Sequence, residues 1–528
     1  MLKNPQEIFH KRDEFGIENS INMLFEIIEK DKDVKQRKSA IKYLGLISHN
    51  STILKDNCFE VLENILISDD NIDLKCEAAN SLSFLGFNKV LKPLKWILEQ
   101  ESIDNQVRIA ALKSIANVRF LEPEINLFIK ELDSKYQSIK ECVVHQLIKL
   151  KPEKLIKSLL ESLMNDSYSE KHKIEAIKLI GHQLSTVNLF PKDSKSYKIT
   201  YPEILSDLIQ YKKILLKVIT TFLKDDFLNN ALMILKAIGR EINNDLIDFV
   251  NNEDFIIKTN AIKLIGELQV KAGRDALLEN LDNIYDEVSK ASIKSLGEIG
   301  DLSTVPKLLN ILNIEDLHFE YIDLDMKWYI LDAIKKIYLM NKDADFDYLY
   351  SIINTKNEIL LESVAYLFGE IGYDLFINPL IELLNKRNLD VRKNAAIALG
   401  KIGNKDAIDP LISIIEDENN YWLLKKVASD AIYNIYLINL SIESKRSEYE
   451  RFFVMRSERL IDHLKNNLDE NHKVKLSLIK ILEDFGGKTA INALLKQIND
   501  FHRIVRISST KAIKKIEKRL GEEEIAPD

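Results

Sequence analysis

Along most of the chain, large apolar residues return every three or four positions with small or polar residues between them, the pattern of a helix with one buried face. The segment LDVRKNAAIALGKIGNKDAIDPLISIIED, residues 389–417, shows the unit. With Val391 as position 0, Ala395 stands at +4, Leu399 at +8, Gly400 at +9 and Ile402 at +11, so the apolar members share one face. The frame returns at Gln36, Leu74, Val107, Ile139, His172, Phe227, Ile257, Val288, Tyr329, Leu360, Leu424, Val474 and Val505, which with Val391 makes 14 anchors. Most neighbouring anchors are 30 to 33 residues apart, a regularity that independent globular helices have no reason to show.

Position +8 is large and apolar in every copy, and +4 is alanine in nine of them, from Ala40 to Ala428. A small residue there lets a neighbouring helix approach while the large one fills the space beside it. Glycine at +9 in six copies, among them Gly45, Gly369 and Gly400, suits the same close packing. Between anchored helices runs a second amphipathic stretch, as in NPLIELL from Asn378 and DPLISII from Asp409, with Pro379 and Pro410 in the first turn. Each unit is therefore a helical pair. A lone pair cannot bury both its apolar faces, so units must stack into an α-solenoid.

The strings DVRKNAAIALGKIGNKDAIDPL, EVSKASIKSLGEIGDLSTVPKL and LLESVAYLFGEIGYDLFINPL resemble the short HEAT-like repeats of phycobilisome lyase-type and many prokaryotic scaffold proteins. The resemblance runs from about residue 20 to 520 and is sharpest between 255 and 415. It implies an all-α, armadillo-like, right-handed α-solenoid superhelix of about 13–14 hairpins. The expected organisation is repeats over 1–185, an insertion loop over 186–203, repeats over 204–520 with insertions near 313–323 and 439–460, and an acidic tail over 521–528.

Composition agrees with helix. Only 16 glycines and 10 prolines occur in 528 residues, too few for the turns of a β-sandwich. The net charge of -8 repels nucleic acid and anionic membrane overall. Cys58, Cys76 and Cys142 are widely spaced, as suits reduced thiols, and no apolar run is long enough to span a membrane, so a cytoplasmic protein without membrane insertion is expected.

Candidate chemistry is sparse. None of the nine histidines belongs to an HExxH motif, and no HE dipeptide exists, which disfavours the iron chemistry of the HEAT-like enzyme deoxyhypusine hydroxylase. The string DADFD at 343–347 starts like a calcium loop, but Tyr348 replaces the required glycine and Asn354 the bidentate glutamate. No phosphate-binding loop or nucleophile elbow appears. The reading is of a protein that is not an enzyme and takes no cofactor.

Binding is the remaining use. The resemblance implies that the anchored helix lines the concave face, and helical geometry turns positions +2, +6 and +10 to solvent. Those 42 positions hold 15 lysines, 7 acids and no arginine. An elongated protein partner with an acidic surface or segment would suit such a stripe; bidentate phosphate recognition would favour arginine, so nucleic acid suits it less. The candidate partner-binding residues are Lys263, Lys290, Lys294, Lys335, Tyr366, Glu370, Lys393, Ile397 and Lys401, with Tyr366 and Ile397 as an apolar hot spot rimmed by charge. A second basic series at +1 borders the core in ten copies and resembles the inter-repeat Asp/Arg ladder of HEAT proteins; Arg108, Asp390 and Arg392 represent it. The function expected is a non-catalytic scaffold or adaptor. Two alternatives stay open: a nucleic-acid binder, including the alkylpurine DNA glycosylase type, and a lyase-like or chaperone subunit acting on a chromophore-bearing protein.

Overall fold

The structure, a computed structural model, describes residues 4–49, 54–100, 102–118, 120–187, 201–283, 286–312, 324–441 and 446–523. Among them every regular element is helical. The chain divides into two compact units, Met1–Leu268 and Gln269–Asp528. Each is a stack of helical hairpins, an α-solenoid. The anchored helices of the first unit are α1 (Val34–His49), α2 (Ile72–Phe84), α3 (Asn105–Val118), α4 (Gln137–Leu147), α5 (Glu170–Thr186), α6 (Asp225–Ile238) and α7 (Phe255–Glu267). Those of the second are α8 (Asp286–Ile299), α9 (Leu324–Met340), α10 (Glu358–Ile371), α11 (Leu389–Ile402), α12 (Trp422–Leu440), α13 (His472–Phe485) and α14 (Arg503–Glu523).

The 389–417 segment shows how local chemistry sets the boundaries. Asn388 caps α11, its side chain accepting from the amides of Asp390 at 2.8 Å and Val391 at 3.1 Å. Gly403 ends the helix at φ 80°, a left-handed conformation that glycine adopts without cost, and its N–H reaches the Leu399 carbonyl at 3.1 Å. A single 3-10 turn over Lys405–Ala407, capped by Asn404, then leads into the helix Ile408–Glu416. Val391, Ala395 and Leu399 are fully buried, as are Ile408, Leu411, Ile412 and Ile415 on the following helix.

Gly400 has a different role. A Cβ there would stand 2.8 Å from the Ala431 Cα of α12, and at Gly369 2.7 Å from the Ala398 Cα of α11. At these steps +9 is where consecutive anchored helices touch backbone to backbone, and a Cβ would collide. Gly45, Gly181 and Gly297 make the same approach.

One anchor differs from the sequence reading. Tyr329 is 43% exposed, whereas Ile330, Ile334 and Ile337 are fully buried. The core face of α9 is therefore framed on Met326, the third residue of its helix as Val391 is of α11. Tyr329 satisfies the apolar pattern because Ala333 and Ile337 fall at +4 and +8 from it. In the corrected frame Lys327 joins the +1 series, Trp328 moves to +2, Asp332 to +6 and Lys335 to +9, beside the next helix rather than on the outward stripe. The lysine total of the stripe stays at 15, since Lys336 takes the place of Lys335, and Asp332 adds one acid.

Of the expected insertions, 313–323 and nearly all of 186–203 lie outside the described residues, apart from the start of the helix Pro202–Gln210 and the end of α5. Residues 446–460 lie within a 21-residue helix, Arg446–Asn466, which serves as the first helix of the hairpin completed by α13. Arg456 holds it to Asp409 with three hydrogen bonds of 2.9–3.1 Å. The acidic tail lies outside the described residues beyond Glu523.

Candidate protein-binding face

The basic series at +1 meets a need the backbone creates. The last carbonyls of each hairpin's first helix have no partner within their own helix. Arg37 Nε donates to the Ile28 carbonyl at 2.9 Å, Lys75 Nζ to Ile67 at 3.1 Å, and Arg392 Nε to Leu384 at 2.7 Å, placing a cation at the negative end of the helix dipole. Several of these cations also reach a carboxylate of the following hairpin. Arg37 pairs with Asp69 at 2.7 Å, Arg108 with Glu131 at 3.1 Å, Lys425 with Glu470 at 3.0 Å and Lys475 with Asp500 at 2.6 Å. Where both contacts form, as at Arg37 and Lys475, the cation ties a helix end to the next repeat.

The acids nearest these cations in sequence do not serve as their partners. Asp390 binds Lys393 at 2.6 Å, one turn along its own helix, and Asp73 takes Lys38 of the preceding hairpin at 2.9 Å. Residues two apart on a helix do not face each other, so Asp390 cannot reach Arg392. Burial alone would favour neutral carboxyls at these rungs. At Glu470, hydrogen bonds from His463, Lys425 and the Asn471 amide overcome it and hold the carboxyl down at about 2. At Glu131 burial wins over Arg108, and its carboxyl is raised.

On the outward face of the second unit, α9, α10 and α11 build a connected cluster. Trp328, 48% exposed, packs edge-on against Tyr366 with ring centroids 5.1 Å apart. Lys401 Nζ lies 5.6 Å from the Tyr366 centroid and also binds Glu370, whose other oxygen accepts from Lys335 at 3.0 Å. The hydrogen bond from Lys401, opposed by burial and reinforced by Lys335, holds the Glu370 carboxyl below the usual range. Ile397, one turn before Lys401, is 41% exposed. Beside it Asn394 donates to Glu362 at 3.0 Å, and Lys327 pairs with the same carboxylate at 3.0 Å. The result is an apolar island of Trp328, Tyr366 and Ile397 inside a rim of fixed charges.

The structure thus brings together Lys335, Tyr366, Glu370, Ile397 and Lys401, with Lys393 alongside. Lys290 stands 6.0 Å from the Tyr329 ring, and Lys294 is exposed on α8. Lys263 lies on α7 and belongs to the first unit. Sequence reasoning missed Trp328, because the Tyr329 frame placed it next to the core; a basic residue at 327, where the +1 series requires one, was the signal that would have found it.

Among the described residues no group of three or more His, Cys, Asp or Glu side chains is placed to hold a metal ion, and no helix is long and apolar enough to cross a membrane. Asp345, in the string that starts like a calcium loop, accepts from the Asp347 amide at 3.1 Å in an exposed turn. Burial pushes the Cys142 thiol up, away from the reactive thiolate.

Stacked hairpins with interlocking second helices and a ladder of helix-end cations define the α-solenoid class, and the repeats are HEAT-like. A family model described as HEAT repeats matches residues 346–432. No curated protein matches the sequence. Similar solved structures include Kap121p bound to Nup53p, at 14% identity and a TM-score of 0.40, covering 98% of this chain and 57% of that one. Kap95p in complex with RanGDP is 13% identical with a TM-score of 0.35, covering 96% and 67%. Importin beta is 13% identical with a TM-score of 0.31, covering 97% and 70%. The chain spans little more than half the length of Kap121p.

Proposed function

We propose that this protein is a non-catalytic scaffold or adaptor that binds a protein partner along the anchored-helix face of its second unit. The observation that carries the reading is the island of Trp328, Tyr366 and Ile397 ringed by the Lys335, Glu370 and Lys401 bridge. Large apolar side chains held half-exposed among oriented charges are what a protein interface uses as its energetic centre, where exclusion of water strengthens the surrounding polar contacts. The partner presents an apolar side chain to this island and acidic groups to the lysines beyond it, Lys290, Lys294 and Lys393. A cytoplasmic location fits the reduced cysteines.

Two other readings have distinct signatures. Nucleic acid would have to lie against Asp332, Glu362 and Glu370, which alternate with the lysines and repel phosphate; a steep fall of DNA or RNA affinity with salt would favour it. A chromophore-bearing partner would show itself by visible absorbance in the captured complex.

The test is quantitative capture from the native host with the wild type and with Ile397→Asp, a substitution at an exposed position that leaves the fold intact. A partner retained by the wild type and lost by the variant, at unchanged thermal stability, is the expected result. Equal recovery of every captured protein by both would overturn the assignment.

A further inference from the structure

Consecutive anchored helices of the first unit interlock from α1 through α4 and again from α5 to α6, but α4 and α5 hardly touch, and neither do α6 and α7. Position +9, which is Gly45 or Gly181 where a neighbour approaches backbone to backbone, is here Ile148, the residue that caps the end of α4. Between the two helices opens a groove of about 710 Å³, lined along its floor by Val144, Ile148, Ile174 and Phe227. Its volume is that of sites that enclose several side chains.

The rim is cationic. Lys135, Lys140, Lys171, Lys178 and Lys224 border it, against Glu141 and Glu175. Glu175 is engaged by Lys178 at 3.5 Å and Glu141 accepts from Gln137 at 3.2 Å. Lys140, Lys171 and Lys224 have no carboxylate partner among the described residues. Lys140 is the +1 cation of α4, the position that at Arg37, Arg108, Arg392 and Lys475 grips a helix-end carbonyl or an acid of the next hairpin. Half-buried and without that rung, it faces the groove instead.

We propose that this groove docks an acidic protein segment, extended across the gap, with one or two apolar side chains seated on Val144, Ile148 and Ile174. Its carboxylates take the place beside Lys140 that the ladder leaves vacant and pair with Lys171 and Lys224 at the rim. The apolar floor and the two rim glutamates select against nucleic acid, whose phosphates would meet Glu141 and Glu175 and whose bases would find His145 as the one exposed ring among the lining residues. The inference rests on the protein-binding reading above but uses a different unit and different residues.

Fluorescence anisotropy tests it with three labelled probes: a short peptide alternating glutamate with leucine and phenylalanine, the same peptide with serine at the apolar positions, and a single-stranded oligonucleotide. The expected result is saturable binding of the first peptide, weakened at least tenfold by the serine replacement. Reversing charge in a Lys171→Glu, Lys224→Glu double variant, both exposed and unpaired, weakens it at least tenfold again. An Ile174→Asp variant supplies a second disruption from the apolar side. Ile397→Asp in the other unit leaves the affinity unchanged. Equal binding by wild type and both groove variants, no binding of the first peptide, or tighter binding of the oligonucleotide overturns the proposal. Those outcomes leave the Ile397-dependent capture standing, so failure of the groove and failure of the scaffold reading are told apart.

Discussion

Two helix steps of the same repeat have opposite characters. Between α10 and α11, Gly369 at +9 brings the backbones together, every nearby lysine finds a carboxylate, and the outward face is an ordered mosaic of rings and ion pairs. Between α4 and α5 the helices stand apart, the +1 lysine has no carboxylate partner among the described residues, and the gap is bordered by further cations, among them Lys171 and Lys224. The difference teaches that charge and steric fit are not independent in a solenoid. Closing a step brings the acids of one hairpin within reach of the bases of the next; opening it leaves those bases for something else.

The strongest way to break the comparison is at the rungs. Replacing Glu470 with alanine strands the buried Lys425 and should cost about 3–5 kcal/mol, whereas Lys140→Ala at the open step should leave the denaturation midpoint within experimental error; urea melts compare them. The Glu470 carboxyl titrates below its unfolded value, so its contribution is present above about pH 4.5 and is lost as pH falls towards 2. Acid unfolding of the wild type should steepen across that window, and the Glu470→Gln variant should lack the steepening.

A comparably large effect concerns His172 at the start of α5. It is fully buried, stacked on Tyr168 at 3.9 Å with Ser162 at hydrogen-bond distance, and burial lowers its imidazole to about 4. Its neutral form suits the fold, so stability is full above pH 6.5 and falls as the unfolded chain takes up the proton between 6.5 and 4, by up to about 3 kcal/mol. A His172→Leu variant should flatten that slope in melts recorded across the interval.

Smaller still is the effect of a single methyl group at +9. Gly400→Ala or Gly369→Ala forces a backbone contact apart and should cost about 1–3 kcal/mol. Ile148→Ala, which removes part of the groove floor, should cost less and should weaken binding of the acidic peptide. A smaller change is expected at Lys401→Ala, whose half-exposed lysine pairs with Glu370 and whose loss should cost about 0.2–1 kcal/mol, detectable in partner affinity before it is detectable in melting.

How much of this was legible in the sequence differs by element. The hairpins, their buried faces and the glycines at +9 follow from spacing alone, because core burial repeats with the helix period. The frame of α9 did not follow, since Ala333 and Ile337 satisfy two registers three residues apart and only burial separates Tyr329 from Met326. For the candidate site, Tyr366 and Ile397 were visible as apolar residues at outward positions. Trp328 was hidden by that frame, and the ion pairs of Lys335 and Lys401 with Glu370 join residues 31 to 35 apart, beyond any local rule.

The sequence by itself determined that this chain is a row of helical pairs with a basic residue at the start of most anchored helices. Only the tertiary structure decided which of those bases are satisfied and where the row opens. The physical reason is range: periodic burial is set within one helix, whereas a lysine's partner and the width of a groove depend on how closely the next hairpin approaches, which many side chains of both hairpins set together.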